Sequence, residues 1–201
     1  MIIRLYEENT SEREIERVTE MLRDGAVIIY PTDTVYAIGC DALNVRAAER
    51  ICHLKGINPL KSNLSIIGAD LSSLSKYVKI SDRYYKIIKH NTPGPFTFIL
   101  PTASSLPKLY KNRKSVGIRI PANKIPIELT KSLGNPLLTS SLHDDDDNGY
   151  LTNPELIAER YAGIADIIID GGIGGVLIST IVDCTSENPE ITRDGAGVLY
   201  V

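Results

Sequence analysis

Cysteine and histidine are scarce in this chain of 201 residues, with three of each. The cysteines, Cys40, Cys52 and Cys184, are odd in number and far apart, which argues against a disulfide framework. Cys52 and His53 adjoin, but no second CxxC or HxxxH pair completes a zinc site, and the thiols read as core residues. None of His53, His90 and His143 stands in an HExxH or nucleophile-elbow setting, so hydrolysis of those kinds has no support. No apolar run approaches bilayer length. Residues 1–9 carry Arg4, Glu7 and Glu8 early, unlike a signal peptide, and a cytoplasmic location is expected. A net charge of -3 gives no bulk attraction to nucleic acid or anionic membrane. Any RNA binding therefore needs a local basic surface.

What is present is an ordinary globular balance, 43% hydrophobic and 23% charged, at a length that suits one domain over residues 1–201. The chain is anchored on residues 26–36. Ala26-Val-Ile-Ile-Tyr30 is a β-branched run that suits a strand buried on both faces, stopped by Pro31. Thr32-Asp33-Thr34 follow. Ligands of open α/β sheets gather where strands end, so residues 31–36 belong either to the rim of a cleft or to a turn serving its own backbone.

Before this run, Ser11-Glu12-Arg13-Glu14 is a capping box for a helix with Ile15, Val18 and Leu22 on one face. After it, Asn44 caps a helix to Leu54, a short strand covers 64–67, and helices are expected near 70–76 and 81–90. Strands follow at 98–100 and 115–120. A helix spans 124–133 with Gly134 as its stop, then come a strand at 136–140 and a helix opened by Asn153-Pro154. The last strands lie at 165–169, 180–183 and about 191–193. Helices alternate with strands throughout, giving a three-layer α/β (α+β) arrangement.

Hydroxyls recur at the strand ends: Thr32, Thr34, Thr97, residues 139–141, Ser179 and Thr180. Such a rim can hold a small polar ligand or phosphate oxygens; a single hydroxyl is more often a structural turn residue, and it is the recurrence at strand ends that points to a site. Lys55, Lys61, Arg119 and Arg193 flank the same loops. Arg119 is the sharpest of these, a guanidinium on an otherwise apolar strand that needs a bidentate anionic ligand or a structural carboxylate. Residues 170–175 lack the GxxxxGK[ST] and GxGxxG orders and read as a turn. Residues 144–147 read as an exposed, self-repelling acidic loop in preference to a Mg²⁺ site, and Lys111-Asn112-Arg113-Lys114 equally as a phosphate contact or a short solvated turn.

Taken together, Tyr30-Pro-Thr-Asp-Thr-Val-Tyr36, Lys55, Pro93-Gly-Pro-Phe-Thr97, Arg119-Ile-Pro121, Thr139-Ser-Ser141, Ser179-Thr-Ile-Val-Asp183 and Arg193-Asp-Gly195 resemble the YrdC/YciO family. Its better-known members are threonylcarbamoyl-adenylate synthases. The resemblance implies a twisted mixed sheet flanked by helices, a YrdC-like fold with one concave, electropositive cleft. It implies synthesis of threonylcarbamoyl-AMP and pyrophosphate from L-threonine, bicarbonate and ATP, with Mg²⁺ offsetting the polyphosphate charge, for tRNA modification. By the same resemblance, Thr32, Tyr36, Arg119, Thr139 and Ser179 bind threonine, with Arg119 on its carboxylate. Lys55, Lys61, Ser115, Ser141 and Arg193 bind the nucleotide, and Lys55 and Arg119 are the catalytic pair; no resident metal is implied. Two departures point to the YciO branch. Ile57 replaces the arginine of the KxR motif, and His143 stands at the asparagine of SxN. That branch implies an alternative, binding of double-stranded RNA or tRNA with reduced ATP chemistry.

Overall fold

The computed structural model describes residues 1–58, 64–103, 106, 113–142 and 152–201. Lys61, Lys111, His143 and residues 144–147, singled out from the sequence, lie outside them. Ten strands form one sheet: β1 (Ile2–Arg4), β2 (Ile28–Tyr30), β3 (Ala37–Asp41), β4 (Ser65–Ile67), β5 (Phe96–Pro101), β6 (Ser115–Arg119), β7 (Leu137–Ser141), β8 (Ile167–Asp170), β9 (Thr180–Asp183) and β10 (Glu190–Arg193). Their order is β1-β8-β2-β3-β7-β4-β6-β5-β9-β10. The sheet is mixed, with parallel pairs β1/β8, β2/β8, β4/β6 and β5/β9 among antiparallel ones. Around it stand α1 (Glu12–Arg23), α2 (Val45–Leu54), α3 (Leu71–Ser75), α4 (Asp82–Asn91), α5 (Lys124–Leu133) and α6 (Pro154–Arg160).

The helix ends follow local chemistry. The Ser11 hydroxyl accepts from the Glu14 N–H at 3.4 Å, Asn44 accepts from Ala47 and Asn153 from Glu155. Gly134 closes α5 at φ 77°, a left-handed conformation that glycine adopts at little cost. The bounds read for α5 hold. The anchoring strand is buried on both faces and ends at Tyr30, as the Pro31 stop predicts, with residues 31–36 as loop. It begins at Ile28, two residues later than the apolar run.

Two strands escaped the sequence reading. β3 is built from Ala37, Gly39 and Cys40 among others, residues with no strand preference of their own. Its pairing between β2 and β7 makes it extended. β1 is a short edge strand, parallel to β8, in a polar N-terminal stretch.

Registers sort the side chains onto two faces, because directly opposed residues point the same way. On one face Ile29, Ile38, Leu138, Ile66, Ile118 and Phe98 join a core with residues of α2, α3, α4 and α6. Free Cys40, Cys52 and Cys184 are in it, and burial pushes all three thiols up, Cys184 to about 12. The opposite face is covered only in part. α1 and α5 pack Ile15, Val18, Leu22, Ile125, Leu129 and Leu133 over Ile28, Tyr30, Ala37, Ile67 and Leu137. The Thr19 and Ser132 hydroxyls join these helices at 3.0 Å. The remainder of the face, from β7 across to β10, presents the hydroxyls and guanidiniums picked out from the sequence.

Candidate functional site on the open half of the sheet

Residues 31–36 turn from β2 into β3 at the edge of this open area. The Thr32 hydroxyl donates to Val35 O (2.7 Å) and accepts from the Thr34 N–H (3.1 Å), while its oxygen lies 3.0 Å from the Thr34 hydroxyl. The loop is thus folded by its own threonines. It receives Arg119 from the end of β6. Arg119 Nη2 donates to Asp33 Oδ1 (2.5 Å), Thr34 Oγ1 (2.7 Å) and Thr32 Oγ1 (3.4 Å). The Arg119 and Asp33 side chains are 6% and 8% exposed, so their charges are largely desolvated. The second Asp33 oxygen accepts from the Ala122 N–H at 3.0 Å. All of these Arg119 bonds leave from one nitrogen. The buried Nε has no hydrogen-bond partner among the described residues.

Of the two readings of Arg119, the structural carboxylate is present as Asp33. Breaking such a buried pair costs about 3–5 kcal/mol, because the survivor is left charged and dry.

Arg193, at the end of β10, comes from the opposite side. Its Nη2 donates to the carbonyl (2.8 Å) and hydroxyl (3.1 Å) of buried Ser179, and its Nε to the same carbonyl (3.2 Å). Ser179 Oγ lies 2.9 Å from Thr97 Oγ1. Burial, and then the Arg119 charge, pull the Arg193 guanidinium below its ordinary value. The two cations feel each other, and neutral oxygens alone receive Arg193 among the described residues.

Beyond β10 the chain doubles back along this corner. Ala196 N–H donates to Ile178 O, and the Thr180 hydroxyl bonds both the N–H and the carbonyl of Gly197. Asn91 Nδ2 donates to Tyr200 O, and Asn91 Oδ1 accepts from the Tyr200 N–H.

A hollow of about 360 Å³ follows, lined among others by Ser65, Thr97, Ile99, Ser115, Gly117 and Arg193. By register these belong to the open face. The predicted residues that lie among the described ones are neither all in one place nor all in one role. Arg119, Thr32, Arg193 and Ser179 form two linked clusters, and Ser115 lines the hollow. Thr139 accepts from the Tyr30 hydroxyl (2.8 Å), within the sheet. The Tyr36 hydroxyl bonds Gly171 N and Gly172 O, and burial, opposed by the Gly171 N–H, pushes it up to about 12. Tyr36 thus ties the turn at 170–175 to the loop at 31–36. Lys55 Nζ donates to Ser141 O at 2.6 Å, which brings the end of α2 to the end of β7. Ile57 is partly buried and packs against the core of the helix-covered face.

Sequence reading did not assign Asp33 as the partner of Arg119, because that pair spans 86 positions. It also passed over Ser65, a lone serine in an apolar strand. A larger hollow of about 490 Å³ lies between α1 and α5, lined by mixed charges such as Glu12, Glu16, Lys124 and Lys131. Its lining holds no buried guanidinium, and the open sheet face is the candidate site. Among the described residues no helix is long and apolar enough to cross a membrane, and no group of three His, Cys, Asp or Glu is placed to hold a metal.

Known proteins share this arrangement. An uncharacterized protein of Haemophilus influenzae is 39% identical over 196 residues, 96% of this chain and 94% of its own length. The crystal structure of Escherichia coli YciO superposes with a TM-score of 0.90 at 35% identity, over 98% of this chain and 97% of that one. A threonylcarbamoyl-AMP synthase of Pyrococcus abyssi is 30% identical over 94% of this chain and 56% of its own. The structure of P. abyssi Sua5 complexed with L-threonine gives a TM-score of 0.85 at 29% identity, over 97% and 57%. The Sua5_yciO_yrdC family model, described as telomere recombination, matches residues 20–195, from within α1 to just past Arg193. With both arginine clusters inside that match, the chain belongs to the Sua5/YciO/YrdC family.

Proposed function

We propose that the open face binds L-threonine beside ATP and joins them through bicarbonate, as threonylcarbamoyl-AMP with release of pyrophosphate. One observation carries this reading. Two guanidiniums, Arg119 and Arg193, approach one hydroxyl-lined area, Arg119 paired with Asp33 and Arg193 bonded among the described residues only to the neutral oxygens of Ser179, so the area suits anionic groups. The threonine carboxylate takes the unpartnered edge of Arg119, which Asp33, Thr32 and Thr34 hold in orientation. Ser115, Ser141 and Arg193 face the nucleotide, and Lys55 stands at the end of β7 beside Ser141.

The free threonine amine attacks the bicarbonate carbon, a C–O bond breaks, and water leaves with the amine proton to give the carbamate. A carbamate oxygen then forms a bond to the α-phosphorus as the bond to pyrophosphate breaks. No protein nucleophile is needed; positioning and charge stabilisation carry the step, and Arg193 offsets the charge that grows on the departing pyrophosphate. Asp33 is committed to Arg119 and the Ala122 N–H, and Mg²⁺ carried by the ATP phosphates would offset their charge.

Incubation with labelled threonine, bicarbonate and MgATP, followed by pyrophosphate detection, tests the reading. Threonine-dependent pyrophosphate above a blank is expected. None, together with salt-sensitive retention of tRNA or double-stranded RNA, replaces it with the nucleic-acid-binding reading.

A further inference from the structure

On the open face most hydroxyls are already occupied within the protein: Thr139 by Tyr30, Thr97 by Ser179, and Thr34 by Arg119. Ser65, Ser115 and Ser141 differ, since their hydroxyls have no hydrogen bond among the described residues. Ser115 and Ser141 were already assigned to the nucleotide. Ser65 was assigned to nothing. It is half-buried, the lone polar residue of β4, between buried Leu64 and the buried pair Ile66 and Ile67.

Its place in the register is informative. Ser65 stands opposite Gly117 on β6 and opposite Thr139 on β7. Gly117 lies midway between Arg119 and Ser115 on the same face of β6, with each step of two residues spanning about 7 Å. A methyl group on Gly117 would collide with the Ser65 hydroxyl and come within 2.9 Å of Thr97 Cγ2. The Ser65 hydroxyl and the Thr97 methyl thus fill the space over Gly117, and the glycine is what lets the Ser65 hydroxyl lie across β6 at this level. From there it lines the hollow together with Thr97, Ser115 and Arg193.

We infer that Ser65 is a further ligand-binding residue, whose hydroxyl donates to an oxygen of the nucleotide α-phosphate. The inference rests on the reading proposed above. With the threonine carboxylate on Arg119 and the nucleoside toward Ser115 and Ser141, the phosphate that joins them falls midway, at Ser65 and Gly117. A hydroxyl suits this position because it donates to an anionic oxygen without adding charge to a site that already holds two cations.

Calorimetric titration of the full chain with AMP, adenosine and L-threonine tests it, using wild type, Ser65→Ala and Ser65→Thr. Ser65→Ala is expected to weaken AMP binding by about ten-fold, the scale of one hydrogen bond to a charged group. Adenosine and L-threonine, which lack the phosphate, are expected to bind unchanged, and Ser65→Thr to restore AMP to within about three-fold of wild type. Equal AMP affinity in Ser65→Ala and wild type overturns the assignment of Ser65 and leaves the proposed function standing. A matching loss for all three ligands makes the residue structural and also overturns it. Wild type that binds neither AMP nor L-threonine removes the proposed function itself, and Ser65 with it.

Discussion

Beneath α1 and α5 one sheet face presents Ile28, Tyr30, Ala37, Ile67 and Leu137, all buried. A step or two along the same strands or their neighbours, it presents Ser65, Thr97, Ser115, Thr139, Ser141 and two arginines. The pleat and the pairing are the same in both halves. What changes is whether a helix lies above. Where one does, the strand residues complete a core and their volume sets the stability. Where none does among the described residues, most positions on β4 to β7 carry hydroxyls or arginines, and a glycine sits among them. The border is Tyr30, whose ring is in the core while its hydroxyl reaches Thr139 on the open side. One sheet thus serves as a wall of the core and as the floor of a binding surface.

This contrast is open to attack by mutation. The largest effect belongs to Arg119→Ala, which removes the fork and strands Asp33. Threonine-dependent pyrophosphate release is expected to fall by at least about 100-fold, with a loss of stability of about 3–5 kcal/mol in denaturant titration. Intact threonine binding in this variant would sever the link between the arginine cluster and the amino acid. In the covered half, Leu129→Ala, at a fully buried position, is expected to cost about 2–5 kcal/mol in the same titration. It leaves the L-threonine and ATP dissociation constants of the folded protein unchanged. A Leu129→Ala variant with normal stability but weakened ligands would erase the division between the halves.

Arg193→Ala comes next. Its bonds run to neutral oxygens, so its removal strands no buried carboxylate. A loss of about ten-fold in ATP affinity is expected, diminishing at high salt, with little change in thermal midpoint. The smallest effect is that of Ile57→Arg. The side chain packs on the far core, and a guanidinium placed there must leave that packing to reach phosphate. ATP is expected to tighten by a few-fold while the thermal midpoint drops by a few degrees. No gain in affinity would show that position 57 does not serve the nucleotide.

How much of this was legible beforehand depended on the range of the interaction involved. α5 was read with its true ends, because Asn123 and Gly134 act on adjacent backbone. The polar loop after β2 was read because Pro31 and the threonines fold it locally. β3 was missed because Ala37, Gly39 and Cys40 become a strand through neighbours far away in the chain. The same limit applied at the site. Hydroxyls at strand ends were visible one by one, and Arg119 announced itself as a charge among apolar residues. That its counter-charge is Asp33, and that Thr32 serves the loop and the arginine with its hydroxyl, follows from how β6 lies beside the loop. Ser65 gave no local signal, since its meaning comes from the glycine opposite.

The doubled-back tail adds a mechanical consequence. Asn91 and Thr180 stitch residues 197–200 to the corner where Ser179 and Arg193 sit. Load applied past Val201 travels through those stitches into the arginine cluster, whereas load at Met1 reaches the sheet at β1, on its far edge. A tag or surface tether at the tail thus acts as a lever on the anion-binding corner, and the same tether at the head leaves that corner at rest.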